Sequence, residues 1–281
     1  MQELIWINGQ VMPLADARIG VEDRGFQFAD GVYETLRLYA GKPFALDRHL
    51  DRLELSCGGI DLALPIDVDD LADEMLALAK RSEVADGCLY LQVTRGDARR
   101  NHLFPDAAKP TLLFYTRAMP PVPPIGSGNG SVLLSVPDER WNRCWIKSIS
   151  LLANVLARNA AAAAGADEAA FVQEGWLSEC SSSNLFVVID GTLVTAPVGP
   201  RVLPGITRAI LLECATALGI PAEERPLAYA EAIAADEIFI ASTLREIAWV
   251  REWDDKTVAG GHCGPLTVQL HKAFREYVAA E

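Results

Sequence analysis

An α+β fold built on mixed sheets and carried in two domains is what this 281-residue sequence predicts. Strand-like and helix-like segments follow one another with neither the strict alternation of a doubly wound fold nor an internal repeat. A proline- and glycine-rich stretch at 120–130 interrupts the chain near its middle. Half of the residues are hydrophobic and 22% are charged, the composition of a folded protein, and the length suits two cores of roughly 100 to 200 residues each. One large α/β unit is the alternative division.

Taken in order, the chain opens with a hairpin in which residues 4–7 and 10–12 flank Asn8-Gly9, a dipeptide suited to positive φ. A second hairpin runs over 32–39 and turns at Ala40-Gly41. Helical spacing follows in Leu46, Leu50 and Leu53, and again in Val68, Leu71, Met75 and Leu78, the latter opened by a cluster of aspartates. Strands are expected at 88–94 and 111–116. The run Pro120-Pro121-Val122-Pro123-Pro124, then Gly126-Ser127-Gly128-Asn129-Gly130, suits neither a helix nor a central strand. We therefore place an N-terminal domain at 1–119, a linker at 120–130 and a C-terminal domain at 131–281. Beyond the linker come a strand near 131–136, an alanine-rich helix at 151–164 ended by Gly165, a hairpin turning at Asp190-Gly191, and helices near 207–218 and 265–279.

The formal net charge of −13 would repel polyanions, so nucleic acid and anionic membranes are poor partners. The stretch Met1 to Trp6 lacks a basic region followed by a long apolar one, and no later apolar run approaches the ~18 residues of a membrane span. A cytoplasmic location is expected. Six dispersed cysteines without a C-x-x-C pair indicate reduced thiols and no metal site.

Phosphate-loop, dinucleotide, zinc-protease and serine-hydrolase motifs are all missing. Of six lysines, Lys147 alone sits in an apolar stretch read as extended, Trp145-Ile146-Lys147-Ser148-Ile149. Partial desolvation there favours the neutral amine, the nucleophile for imine formation. An isolated lysine in such a stretch also commonly reaches out to solvent, so both readings stand on these residues alone. Gly205-Ile206-Thr207-Arg208 opens a predicted helix whose free amides suit a phosphate, and is also an ordinary helix start. Glu179 precedes the hydroxyl-rich turn Ser181-Ser182-Ser183, which leads into a strand at 185–189 or is simply a solvated loop. Arg95-Gly96-Asp97-Ala98-Arg99-Arg100-Asn101-His102 concentrates positive charge in an acidic protein, for capture of a small carboxylate or for surface pairing.

Taken together these segments resemble fold-type IV pyridoxal-phosphate enzymes, and most closely bacterial D-amino-acid (D-alanine) aminotransferases. The residues from Glu22 to Glu34 resemble the family's N-terminal signature and His49-Leu50-Asp51-Arg52-Leu53 its next helix. Val93-Thr94-Arg95-Gly96, Arg143-Cys144-Trp145-Ile146-Lys147-Ser148, the Glu179 to Asn184 segment and Gly205 to Arg208 follow in family order. The resemblance implies a smaller N-terminal α/β domain and a larger C-terminal domain with a pseudo-barrel of mixed strands.

It also implies roles. Lys147 would hold pyridoxal 5′-phosphate (PLP) as a Schiff base and move the substrate proton, while Glu179 would keep the pyridine nitrogen protonated. Arg52, Gly205, the amides of Ile206 and Thr207, and Ser242-Thr243 would hold the phosphate. Ser181, Ser182, Ser183 and Leu203 would line the cofactor pocket. Tyr33, Arg100 and His102, with Thr35 and Tyr90 beside them, would trap the substrate carboxylate, the Arg and His coming from the second subunit of a homodimer. The activity so implied is ping-pong transfer of an amino group from D-alanine-class donors to 2-oxo acids such as 2-oxoglutarate or pyruvate. The alternatives are an (R)-amine or branched-chain amino acid transaminase, and an aminodeoxychorismate lyase.

Two departures from the family pattern stand out: Trp145, where a shorter polar residue is usual, and Leu244-Arg245, where small hydroxyl residues are usual. If 145–147 is a strand, Trp145 and Lys147 share a face and Trp145 borders the cofactor; core packing is the other reading of that tryptophan. Arg245 is either a second anion contact or a solvated side chain.

Overall fold

Short strands and helices are mixed up to Ala118 in a computed structural model that describes residues 3–107 and 109–281. Met1 and Gln2, part of the stretch read above for targeting, lie outside those residues. The segments are β1 (Leu4–Ile7), β2 (Gln10–Pro13), α1 (Arg24–Phe28), β3 (Gly31–Tyr39), β4 (Lys42–Pro43), α2 (Leu46–Gly58), α3 (Val68–Ser82), β5 (Gly87–Thr94) and β6 (Thr111–Ala118). The strands form one six-stranded antiparallel sheet in the order β2-β1-β6-β5-β3-β4.

Register sorts its side chains. Val32, Leu36, Leu89, Leu91, Val93, Leu112 and Phe114 are buried with Leu53 of α2 and Leu71, Met75 and Leu78 of α3. Each such side chain removed from water contributes about 1.5–3 kcal/mol. The alternate positions of β3 and β5, period two along a strand, carry Tyr33, Thr35, Tyr90 and Gln92, with Tyr33 opposite Gln92 and Thr35 opposite Tyr90. Helix α3 starts at an Asp67 cap, with Asp69 and Asp70 in its first turn and Lys80 and Arg81 in its last, as the helix dipole favours.

Residues 119–130 form no helix or strand. After them come β7 (Ser131–Pro137), α4 (Leu152–Ala163), β8 (Glu168–Gln173), β9 (Trp176–Cys180), β10 (Asn184–Ile189), β11 (Thr192–Thr195), α5 (Ile206–Ala217), β12 (Ala222–Glu224), β13 (Leu227–Ala228), α6 (Tyr229–Ala232), β14 (Glu237–Ser242), β15 (Glu246–Trp253), β16 (Lys256–Thr257) and α7 (Pro265–Ala280). These strands form a ten-stranded mixed sheet that curls into a partial barrel. The β7–β8, β7–β15 and β11–β12 pairs are parallel and the other pairs antiparallel. Leu133, Val187, Ile240, Val250 and Trp253 centre its core. The expected mixed α/β architecture is thus observed.

Two compact units result: the chain up to Pro121 together with Ile146–Ser150, and Val122–Trp145 together with Leu151–Glu281. Among the described residues no helix is long and apolar enough to cross a membrane. One local expectation is corrected. The stretch 145–149 is not a strand: it turns and bends, with a single bridge from Ser148 to Val32. Ser148 donates its amide back to the Ile146 carbonyl at 2.8 Å, which folds the chain where a ladder would need it straight. The face that Trp145 and Lys147 would share in a strand therefore does not exist.

Candidate active site

Lys147 is fixed by its main chain. Its amide donates to Ser56 Oγ of α2 at 3.1 Å, and its carbonyl accepts the Tyr33 amide at 2.9 Å. The half-buried side chain lies over the Tyr33 ring, Nζ 4.2 Å from the centroid. Among the described residues no carboxylate or other hydrogen-bond partner meets Nζ. Tyr33 stacks on Tyr90 (5.7 Å), Tyr90 packs tilted against Tyr115 (5.3 Å), and the Tyr90 hydroxyl donates to Gln92 at 2.8 Å. Lys147, Tyr33, Tyr90 and the adjacent Thr35 are therefore brought together on one face of the first sheet.

Glu34 points to the opposite face, where it is buried. Arg52 Nε and Nη2 donate to its two oxygens at 2.7 and 2.8 Å, a forked geometry suited to a carboxylate. His49 Nδ1 lies 2.6 Å from Oε2, and its Nε2 is buried without a partner among the described residues. Burial by itself raises the Glu34 pKa, but the charge of Arg52 and its hydrogen bonds outweigh this and hold it well below the usual carboxylate range. Burial depresses the pKa of His49 despite the pull of Glu34, and Nδ1 is the ring nitrogen that faces the carboxylate.

This gives a sign for acid stability. The carboxylate's contribution is fully present above its ordinary value of 4.5 and is lost as pH falls toward the depressed folded value. Urea unfolding of Glu34→Gln should therefore show a deficit against wild type that is largest at neutral pH and shrinks below pH 4.5. A deficit independent of pH would mean that Glu34 is not ionised in the fold.

Arg100 and His102 form a separate group. Arg100 lies over the Phe28 ring at 4.4 Å and His102 packs on the same ring at 5.6 Å. Their loop is pinned by Arg24, whose Nη1 donates to the Asn101 carbonyl at 2.6 Å, and by Arg95, which pairs with Asp30 at 2.9 Å. Gly96 begins that loop at φ 86°, and a Cβ there would lie 1.8 Å from the Lys109 carbonyl oxygen, so only glycine fits. The structure gathers these two residues on Phe28, and among the described residues neither makes a hydrogen bond or ring contact with Lys147 or Tyr33.

In the second unit, Glu179 is a buried acid one residue before the end of β9. Arg140 Nη1 donates to its Oε1 at 2.5 Å, and Asn184 Nδ2 and the Leu203 amide donate to Oε2 at 3.0 Å each. Arg140 is also gripped by Asp138, with Nε to Oδ1 at 2.9 Å and Nη2 to Oδ2 at 3.0 Å, and it stacks on Phe171 at 4.1 Å. Burial opposes the charge on Arg140, yet the bonds to Asp138 and the charges of Glu179 and Asp138 more than offset it and raise its pKa. Asp138 is shifted downward: burial raises it, and the bonds and charge of Arg140 prevail.

Gly205 caps α5 without a side-chain hydrogen bond, leaving the first amides of a 12-residue helix open. A Cβ on Gly205 would lie 2.0 Å from Asn184 Oδ1, so glycine lets this helix start press against the amide that serves Glu179. Ser181 and Ser183 are buried and Ser182 is exposed in the turn joining β9 to β10. Ser242 ends β14, and Thr243 follows in the turn to β15. Glu179, Asn184, Leu203 and Gly205 thus converge, although the sequence reading gave Asn184 no role.

Arg140, Glu34, His49 and Glu168 were likewise given no role from sequence. A signal existed for the last: an acid opening the apolar strand Glu168-Ala169-Ala170-Phe171-Val172 needs a buried partner.

The amino-transferase class IV family model matches residues 31–253. A D-alanine aminotransferase of Listeria monocytogenes is 39% identical over 277 residues, covering 98% of this chain and 96% of that protein. One from Bacillus licheniformis is 36% identical over 277 residues, covering 99% and 98%. Among solved structures, the Escherichia coli branched-chain amino acid aminotransferase aligns with a TM-score of 0.91 at 25% identity, over 99% of this chain and 95% of that one. The 4-amino-4-deoxychorismate lyase of Pseudomonas aeruginosa aligns with a TM-score of 0.83 at 32% identity, over 97% and 98%. This chain is a member of the class IV aminotransferase family.

Proposed function

We propose that this enzyme transfers amino groups from D-amino acids of the D-alanine class to 2-oxo acids, using pyridoxal phosphate. The observation that carries the chemistry is Lys147, a half-buried amine that meets no carboxylate among the described residues, held by its own main chain against Tyr33. The substrate class is supported by the near-full-length relatedness to D-alanine aminotransferases.

Taken within each unit, the residues present suit the part of the cofactor that each would meet. Lys147 offers an unpaired amine for its carbonyl, the open amides at the start of α5 suit its phosphate, and Glu179 offers a buried carboxylate to its ring nitrogen. When bound, the cofactor supplies a carbonyl for covalent attachment and an electron sink for the bond broken at the substrate Cα. The protein's own groups do the rest. Lys147 Nζ would carry the proton from the substrate's Cα to the cofactor's carbonyl carbon, acting as a positioned general base and then acid. Glu179, itself fixed by Arg140 and Asn184, presents anionic oxygen to the ring nitrogen. Ile206 and Thr207 amides, Ser242, Thr243 and Arg52 serve the phosphate, and Ser181, Ser182, Ser183 and Leu203 line the cofactor.

Tyr33, Thr35 and Tyr90 receive the substrate, and Arg100 and His102 hold its carboxylate from the second subunit of a homodimer. Two features support the dimer. Arg100 and His102 group on Phe28 and not with Tyr33, and apolar side chains are strongly exposed, Leu152 at 71%, Phe26 at 77% and Leu103 at 75%. A cytoplasmic setting is supported by six unpaired cysteines.

The test is the cofactor's absorption spectrum during titration with D-alanine and, separately, L-alanine. Conversion to the pyridoxamine form by the D-enantiomer alone is expected; conversion by L-alanine alone would sink the reading. Arg100→Ala should raise the KM for D-alanine roughly 30-fold or more while kcat changes less, since it removes a charge-paired contact. The 32% identical lyase structure favours one rival, to be checked by assaying for pyruvate released from 4-amino-4-deoxychorismate without an amino acceptor.

A further inference from the structure

Glu168 lies at the start of β8 with 0% exposure. Every side-chain group that meets it is a donor. The Ser181 hydroxyl donates to Oε1, the Ser182 hydroxyl donates to Oε2 at 2.6 Å, and Arg245 Nη1 donates to Oε2 at 3.2 Å. Arg245 is its one cationic partner among the described residues. Both hydroxyls spend their protons on Glu168, so each serine oxygen keeps only its acceptor capacity for other groups.

Arg245 belongs to a different loop, the turn from β14 to β15 that also carries Ser242 and Thr243. On its far side that turn is anchored by Glu246, which sits at φ 57° and is fully buried. Glu246 accepts from Arg275 Nη1 of α7 at 2.5 Å, and its Oε2 lies 3.1 Å from His271 Nε2. The serine turn is held from its own side by Asn154 of α4, whose Nδ2 donates to the Ser181 carbonyl at 2.9 Å. Among the described residues, the side-chain link between these two anchored turns is the bond from Arg245 to Glu168, across 77 residues of sequence.

We propose that Arg245 is a positioning residue that straps the Ser242-Thr243 turn to the Ser181-Ser182 turn through Glu168, fixing the spacing of two hydroxyl-bearing loops around the cofactor. The inference rests on the pyridoxal phosphate reading above. A carboxylate buried to this degree needs a cation beside it, and without one its two serine donors are bonded to an uncompensated charge. Removing Arg245 takes away this side-chain tie and leaves the turns joined by the β10–β14 ladder, in which Asn184 lies opposite Ala241, with the hydroxyls themselves still in the protein. The Arg245 side chain is 36% exposed, so its truncation opens no cavity in the core.

The experiment compares wild type, Arg245→Ala and Arg245→Lys, each stripped of cofactor and reconstituted with pyridoxal phosphate. It measures the cofactor's dissociation constant and its visible circular dichroism, with KM for D-alanine and D-glutamate and a thermal melt alongside. The alanine variant is expected to bind the cofactor roughly 10-fold more weakly, as loss of a supporting contact commonly costs. Its visible dichroism should shrink, the lysine variant should recover part of both, and the two donors should be affected alike. Wild-type affinity and dichroism in the alanine variant overturn the strap. So does a defect confined to D-glutamate, which would place Arg245 on the substrate's second carboxylate. Wild type that takes up no pyridoxal phosphate overturns the cofactor reading itself and, with it, this inference.

Discussion

Lys147→Ala is expected to lower D-alanine transamination by at least about a thousandfold while the protein stays folded. The reason for expecting both lies in how the residue is held. Its structural contacts are made by the backbone, amide to Ser56 Oγ and carbonyl from Tyr33, and alanine keeps them. What alanine removes is the amine over the Tyr33 ring, which in the proposed chemistry both attaches the cofactor and moves the Cα proton. Arginine should not substitute, because a guanidinium stays protonated and offers no nucleophilic nitrogen. A small soluble amine should restore part of the lost rate by taking over proton transfer. The checks are the single-turnover rate with D-alanine and peptide mapping after borohydride, which should label Lys147 in wild type. Activity within 10-fold of wild type in the alanine variant, or a label on another lysine, would show that the amine has been misassigned.

What was legible in the sequence was mostly what is local. Leu46, Leu50 and Leu53 repeat at helical spacing, and α2 forms there; Asn8-Gly9 marks the first turn, both residues at positive φ. Glu179 and the serine turn could be read because they are adjacent in the chain, and β9 and β10 do flank that turn. The partners that complete the site are distant in sequence and left no periodic trace: Arg140 reaches Glu179 across 39 residues. Helix α1, five residues long, is too short to show a period. Strand β14, Glu-Ile-Phe-Ile-Ala-Ser, is buried almost throughout and so lacks the alternation that marks a half-exposed strand. The strand read at 145–149 failed for the converse reason. Its apolar pattern is strand-like, but Ser148 spends its amide on the Ile146 carbonyl, and pattern cannot report where a hydrogen bond goes.

Arg140→Ala is expected to destabilise the protein by about 3–5 kcal/mol, seen as a melting temperature lower by about 6–20 °C. Arg140, Asp138 and Glu179 have side-chain exposures of 5%, 1% and 8%, so solvent does little to screen the charges that truncation would strand. Two carboxylates share this one guanidinium, which also bonds Ser178 Oγ and the Arg201 carbonyl through Nη2. A lysine supplies one point charge and cannot make the fork to Asp138 while reaching Glu179, so Arg140→Lys should recover only part of the loss. The pair should also be coupled. Removing the Glu179 charge by Glu179→Gln relieves part of the repulsion that Arg140→Ala creates, so the double variant should be more stable than the sum of the single losses predicts. Function should not follow that recovery: glutamine in place of Glu179 takes the anion from the ring nitrogen, so the double variant should fold better than Arg140→Ala yet abstract the substrate proton more slowly than wild type. If stability and rate instead rose and fell together across the four proteins, Glu179 would be a buried ion-pair partner with no role at the cofactor.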